Sequence, residues 1–230
     1  MTLGPIPDYL KKEMRKHFLK GLKENKPMDT YALDLFQWFR QETEDTWQQM
    51  DAEEQAYIKE QVNSGAAEVN DSGILATEYY RKRMRASHVI FLASLLEGVM
   101  KQECDRVILA LPNQVMFKPS ELKGDAWSSR RTFLERHGNF SIPVGLWKPI
   151  ESLLAVRNAL AHHSGEVHLL TSQQISQLKN ITGVAVDSNE LEIDVKFLDN
   201  ASRSVKDIAE YLHSQIDNMI DRAITPKPTS

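Results

Sequence analysis

Apolar residues recur every three or four positions through most of this chain, and strict alternation appears in a single stretch. After Pro7, Leu10, Met14, Phe18 and Leu22 form a stripe that Pro27 stops, which predicts a short helix. Leu35, Trp38, Phe39, Thr46, Trp47 and Met50 predict one or two further helices with an acidic outer face. Asn63 to Gly73, NSGAAEVNDSG, is small and polar with two glycines, and a boundary is expected there. Ile74 to Leu111 reads as one long helix ended by Pro112. A loop over residues 114–124, a short helix WSSRRTFLERHG stopped by Gly138, and the connector NFSIPVG follow. The next helix runs from Leu146 to His162 and is closed by Ser164 and Gly165, with Pro149 in its first turn, where a proline costs little. LTSQQISQLKN predicts a helix with Thr171 or Ser172 as its N-cap. ITGVAVDSNELEIDVKF alternates on both sides of Asp187-Ser188-Asn189 and predicts a small β-hairpin. A helix from Phe197 to Ala223 closes the chain, and TPKPTS reads as a frayed tail.

These elements give an all-α fold class: a helical bundle over residues 74–224 with a small β-hairpin insertion, preceded by an N-terminal helical extension over residues 1–65. A chain of 230 residues can bury one core plus an appendage, or two small domains. The formal net charge of -4 supplies no global field toward nucleic acid, so a polyanion would have to be held by a local patch. The single cysteine, Cys104, excludes an intramolecular disulfide and a cysteine-based zinc cluster; within an apolar helical pattern it reads as a small hydrophobe. No apolar run reaches the roughly 18 residues of a membrane span. MTLGPIPDYLKKEMRKH lacks the apolar core of a secretory signal, so a cytoplasmic location without membrane contact is expected.

Two apolar stripes are interrupted by charge. Leu146, Ile150, Leu153 and Leu160 share a helix row whose missing member is Arg157. Ile90, Ala93, Met100, Cys104, Val107 and Leu111 share another, whose missing member is Glu97. A lone buried charge is costly, so each needs a partner or water. One reading is a structural Glu97–Arg157 ion pair inside the bundle. The other is a cleft in which Arg157 holds a phosphate and Glu97 orients it. Asn158 and His162, four residues apart, share a face beside Arg157. A guanidinium grips phosphate in two prongs and neutralises charge that grows in a transition state, and an imidazole can pass a proton. A histidine at a helix end also complements the helix dipole, which is the purely structural alternative.

RNALAHHSGEV, at the end of an apolar helix in an all-α chain, resembles the signature of the HEPN superfamily: an arginine, a polar residue after it, and a histidine four to six residues on. Arg157, Asn158 and His162 match with a four-residue gap; His163 also fits, with a gap of five, so the motif leaves the choice of histidine open. SHVIFLASLLEGVMKQECDRV resembles the first core helix of that family, which often carries an acidic residue near the place of Glu97. The resemblance covers residues 74–224, and the first 65 or so match no family segment. It implies a helix bundle that dimerises, joining two motifs in one composite cleft. It implies a metal-independent endoribonuclease that leaves 2',3'-cyclic phosphate and 5'-hydroxyl ends. By the same resemblance His162 is the proton-transfer residue, Arg157 the phosphate clamp, Asn158 a positioning hydrogen-bonder, and Glu97 the group that orients Arg157 or His162. No cofactor is implied. Family members act as toxins of toxin-antitoxin pairs or as antiviral effectors, so an antitoxin or regulatory protein is an expected partner. In one subgroup a partner enzyme modifies a tyrosine two residues after the motif histidine; that position here is Ser164. The alternative is a non-catalytic HEPN-like module that binds nucleotide or a protein.

YYRKRMR is the densest basic stretch: Arg81, Lys82 and Arg85 share one helix side, Arg83 points elsewhere, and Tyr79 and Tyr80 lie beside them. Such an arc can follow an RNA backbone and stack a base, or can simply be a solvated face. Arg130, Arg131, Arg136 and His137 form a second candidate patch. His162, His163 and His168 cluster with Glu166 nearby, but no carboxylate pair stands at ligand spacing, so no metal site is expected. No Gly-rich phosphate loop or serine-nucleophile elbow is present. The aromatics from Tyr31 to Tyr57 read as the core of the N-terminal helices.

Overall fold

The computed structural model describes residues 7–24, 30–65, 72–187 and 189–225. Pro27, the middle of the predicted linker, Ser188 at the hairpin turn and the tail after Thr225 lie outside the described residues. The chain is all-α, with a small two-stranded hairpin. Its elements are α1 (Asp8–Glu24), α2 (Thr30–Asn63), α3 (Ser72–Ala110), α4 (Ala126–Gly138), α5 (Val144–His163), α6 (Ser172–Lys179), β1 (Val184–Val186), β2 (Leu191–Ile193) and α7 (Val195–Ile224). They fall into two compact units that cut across the linear order. The first holds Met1–Asp29, Leu95–Trp147 and Asp207–Ser230; the second holds Thr30–Ser94 and Lys148–Lys206. Each of α3, α5 and α7 contributes to both.

In the first unit, Met100, Cys104 and Val107 of α3, Phe133 and Leu134 of α4, and Leu212, Ile216 and Ile220 of α7 are buried. From α1 it is Leu19 that is buried, while Leu10, Met14 and Phe18 of the predicted stripe are exposed. The same core takes in charge. Glu103, fully buried, accepts from Arg106 at 2.9 and 3.2 Å and contacts His213 Nδ1. Arg106 also donates to Asp217 at 2.5 Å and to the Leu22 carbonyl at 3.2 Å. Burial pushes the Cys104 thiol up to about 12, which makes it the inert hydrophobe the sequence suggested. Asp125 caps α4 by accepting from the N–H groups of Trp127 and Ser128, both at 2.8 Å. The left-handed residue that ends α4 is Asn139, at φ 55°, one place after the predicted Gly138.

In the second unit α2 runs unbroken. Its buried row is Leu33, Phe36, Arg40 and Glu44, and the more apolar Leu35, Trp38, Phe39 and Met50 are exposed. Charge occupies the inner row because opposite charge meets it. Arg40 pairs with Asp199 of α7, and Glu44 receives Arg85 of α3 through two bonds of 2.7 and 2.6 Å. His88 sits between these arginines, with its ring edge-on to Phe36 at 5.3 Å. The hairpin pairs Val184 with Ile193 and Val186 with Leu191. Thr171 caps α6 in a reciprocal box with Gln174, one of the two caps expected.

Candidate active site at the end of α5

The buried row of α5 is Trp147, Ile150, Leu153, Val156 and Ala159, each three residues on from the last. A step of three falls about 60° short of a full turn, so this row winds around the helix instead of running straight. It passes through Val156, and Arg157 stands beside it, half-buried. The charge that looked like a core residue flanks the core. Arg157 Nη1 donates to Asn158 Oδ1 at 3.0 Å. Asn158 and His162 are exposed, and His163 is half-buried.

Backbone geometry fixes the end of this helix. Ser164 and Gly165 both take left-handed conformations, at φ 54° and 78°. The Gly165 N–H reaches back to the Ala159 carbonyl at 3.2 Å. The hairpin then holds the turn: Leu191 N–H donates to the Gly165 carbonyl at 2.9 Å, and Val167 N–H to the Asn189 carbonyl at 3.1 Å. A side chain at Gly165 would press on Leu160 Cδ2, 3.3 Å from its Cβ. The insertion therefore braces the segment that carries Arg157, Asn158 and His162.

Arg157 differs from the other arginines removed from solvent. Arg40 pairs with Asp199, Arg81 with Asp51, Arg85 with Glu44, Arg106 with Glu103 and Asp217, Arg130 with Glu97, and Arg131 with Glu135. Among the described residues Arg157 has no carboxylate partner and bonds a neutral amide. The partner that burial demands for Glu97 is Arg130, at 2.9 Å. Glu97 and Arg157 belong to different units, and each has its hydrogen-bond partner within its own.

The basic arc on α3 is saturated. Arg81 is held by Asp51, Lys82 by Glu192 at 2.7 Å and Glu78 at 3.1 Å, and Arg85 by Glu44. The hydrogen bonds it donates to Glu192 and then Glu78 hold the Lys82 ammonium above its usual pKa. The cavity beside them, about 570 Å³, is also lined by Asp194. An arc that is basic in sequence is thus neutral in space. In the second candidate patch Arg130, Arg131 and His137 are engaged, and Arg136 is exposed. Arg131 lies over the Trp147 ring at 4.7 Å, and His137 packs against Phe117 and Phe133, both at 4.8 Å.

Sequence reasoning missed Glu103, Arg106, His213 and Asp217, and likewise Arg40, Glu44, His88 and Asp199. Their signal was present only as polar residues at helical spacing, which a solvated face produces equally well. His168 approaches Glu166 at 3.5 Å, and no group of three potential metal ligands assembles among the described residues. At the end of α5, a guanidinium without a carboxylate partner among the described residues bonds an amide, and an exposed imidazole lies one helical turn beyond that amide. That set can hold a phosphate and move a proton. No family model, no curated protein and no solved structure matches this chain.

Proposed function

We propose that the chain is a metal-independent endoribonuclease of the HEPN type, working in the cytoplasm as a homodimer with a composite cleft, as a toxin of a toxin-antitoxin pair or an antiviral effector. One observation carries the reading. Arg157 is the half-buried arginine that no carboxylate neutralises among the described residues; it bonds exposed Asn158, and exposed His162 shares a helix face with that amide. Such a guanidinium takes an anion from outside the chain at less cost than one that must first break an ion pair. In the proposed reaction the ribose 2'-oxygen bonds to the adjacent phosphorus as the P–O5' bond breaks. The 2'-hydroxyl proton passes to the His162 imidazole, and the departing 5'-oxygen takes a proton from an imidazolium of the composite cleft. Arg157 neutralises the phosphorane charge, and Asn158 holds Arg157 in place. Glu97, bound to Arg130, is left with positioning α4 against α3.

The paired state of Arg81, Lys82 and Arg85 favours a second reading, a non-catalytic helical module that binds a protein or nucleotide partner. The test is cleavage of a labelled RNA pool in EDTA by wild type, Arg157→Gln and His162→Ala, with the ends analysed. Cyclic phosphate ends from wild type alone support catalysis. Cleavage that survives both substitutions, or folded wild-type dimer that cuts nothing and is harmless when expressed, favours the binding module.

A further inference from the structure

We propose that the groove between α2 and α3 in the second unit is a binding site for an alkylammonium group, either a free quaternary amine or a methylated lysine side chain. On α2, Trp47, Met50, Glu54 and Tyr57 are spaced by three, four and three residues, so they share one helix face. On α3, Gly73, Ala76, Thr77 and Tyr80 do the same. Together with Glu53 they line a cavity of about 590 Å³, within the usual range of small-molecule sites, about 300–1,000 Å³.

The lining specifies the ligand's charge. It contains three large aromatic rings, two carboxylates and no lysine or arginine. The nearest cation in sequence, Arg81, is held by Asp51. Glu53 accepts from the Gln49 amide at 2.8 Å, and neither Glu53 nor Glu54 has an ion-pair partner among the described residues. Glu54 lies so close to Gly73 that any side chain there would collide with its carboxylate. The start of α3 contributes about half a positive charge, which two carboxylates outweigh. The Trp47 indole N–H is buried and has no acceptor among the described residues, so it is not exposed to the cavity as a donor. Tyr57, Tyr80 and Met50 are exposed at 48%, 60% and 44%, far from the burial expected of core side chains. Aromatic faces with nearby carboxylates attract a cation, and alkylation lowers the cost of desolvating that cation. An anionic ligand such as RNA is disfavoured at this groove by the same charges. The site is therefore separate from the one at the end of α5 and does not depend on it.

The test uses the full chain and follows the Trp47 indole resonance, assigned with Trp47→Phe. It is titrated with choline, with N-acetyl-trimethyllysine amide, and with 3,3-dimethylbutanol, the neutral counterpart of choline. Either cation should bind at least about tenfold more tightly than the neutral alcohol, and whichever cation binds more tightly identifies the source. Glu53→Gln and Tyr80→Leu, both at exposed positions, should each weaken the cation severalfold without changing the melting temperature. Equal binding of the neutral alcohol, or no shift with either cation at millimolar concentration, overturns the proposal.

Discussion

Arg106 on α3 and Arg157 on α5 both stand on long helices, and the structure gives them opposite roles. Arg106→Gln removes both bonds to Glu103, the 2.5 Å bond to Asp217 and the bond to the Leu22 carbonyl. Glu103, fully buried, is then left with His213 alone. Stranding one member of a buried ion pair costs about 3–5 kcal/mol, a large part of a typical stability of about 5–15 kcal/mol. In a chain of this length 1 kcal/mol moves the melting temperature by about 2–4 °C, so a fall of about 6–20 °C is expected. Adding Glu103→Gln should recover part of the loss, because the stranded carboxylate goes. Arg157→Gln loses one bond to an exposed amide, and its melting temperature should stay within about 2 °C of wild type, as for other surface changes. Thermal melts followed by circular dichroism, with denaturant midpoints as a second measure, decide the matter. An Arg106→Gln protein as stable as wild type would show that the buried charges do not hold the first unit together. A large loss in Arg157→Gln would show that this guanidinium is a core charge after all and would remove the support for its functional role.

The pH dependence should report on His88. Burial first, and then Arg40 and Arg85, hold its imidazole below the usual pKa against an opposing pull from Glu44. The unfolded chain therefore binds this proton more readily: stability is full above the unfolded value, about 6.5, and falls as pH drops from there through the folded value. His88→Phe keeps an aromatic ring against Phe36 and should flatten that acid-side decline, measured by denaturant unfolding at pH 5 and 7.5; an unchanged slope contradicts the assignment. Gly165→Ala places a side chain in the left-handed region and against Leu160, for a loss of about 1–2 kcal/mol together with reduced RNA cleavage. Gly145→Ala, in open space within α5, should be neutral in both assays.

That Arg157, Asn158 and His162 stand together at the end of one helix was legible in the sequence because they are close along the chain. Asn158 and His162, four apart, share a face of that helix wherever it packs, and Arg157 is the neighbour of Asn158 in the chain. The same holds for the elements themselves: the long helix before Pro112, the cap at Thr171, the close of α5 at Ser164 and Gly165, and the hairpin. Each rests on contacts among near neighbours, and these give an all-α chain with one β insertion. Which face of a helix is buried is not a local matter. Hydrophobic spacing chose Leu10, Met14 and Phe18 on α1, and Leu35, Trp38 and Phe39 on α2. The fold buries Leu19 on the one helix and the row containing Arg40 and Glu44 on the other. On α5 it buries Val156 and leaves Arg157 at the edge. Whether a charge can be buried depends on an opposite charge that arrives from far along the chain, as Asp199 does for Arg40, Arg85 for Glu44 and Asp217 for Arg106. For the same reason the arc of Arg81, Lys82 and Arg85 is basic as sequence and neutral as surface: the carboxylates that cancel most of it come from α2 and the hairpin, and only the tertiary structure brings them there.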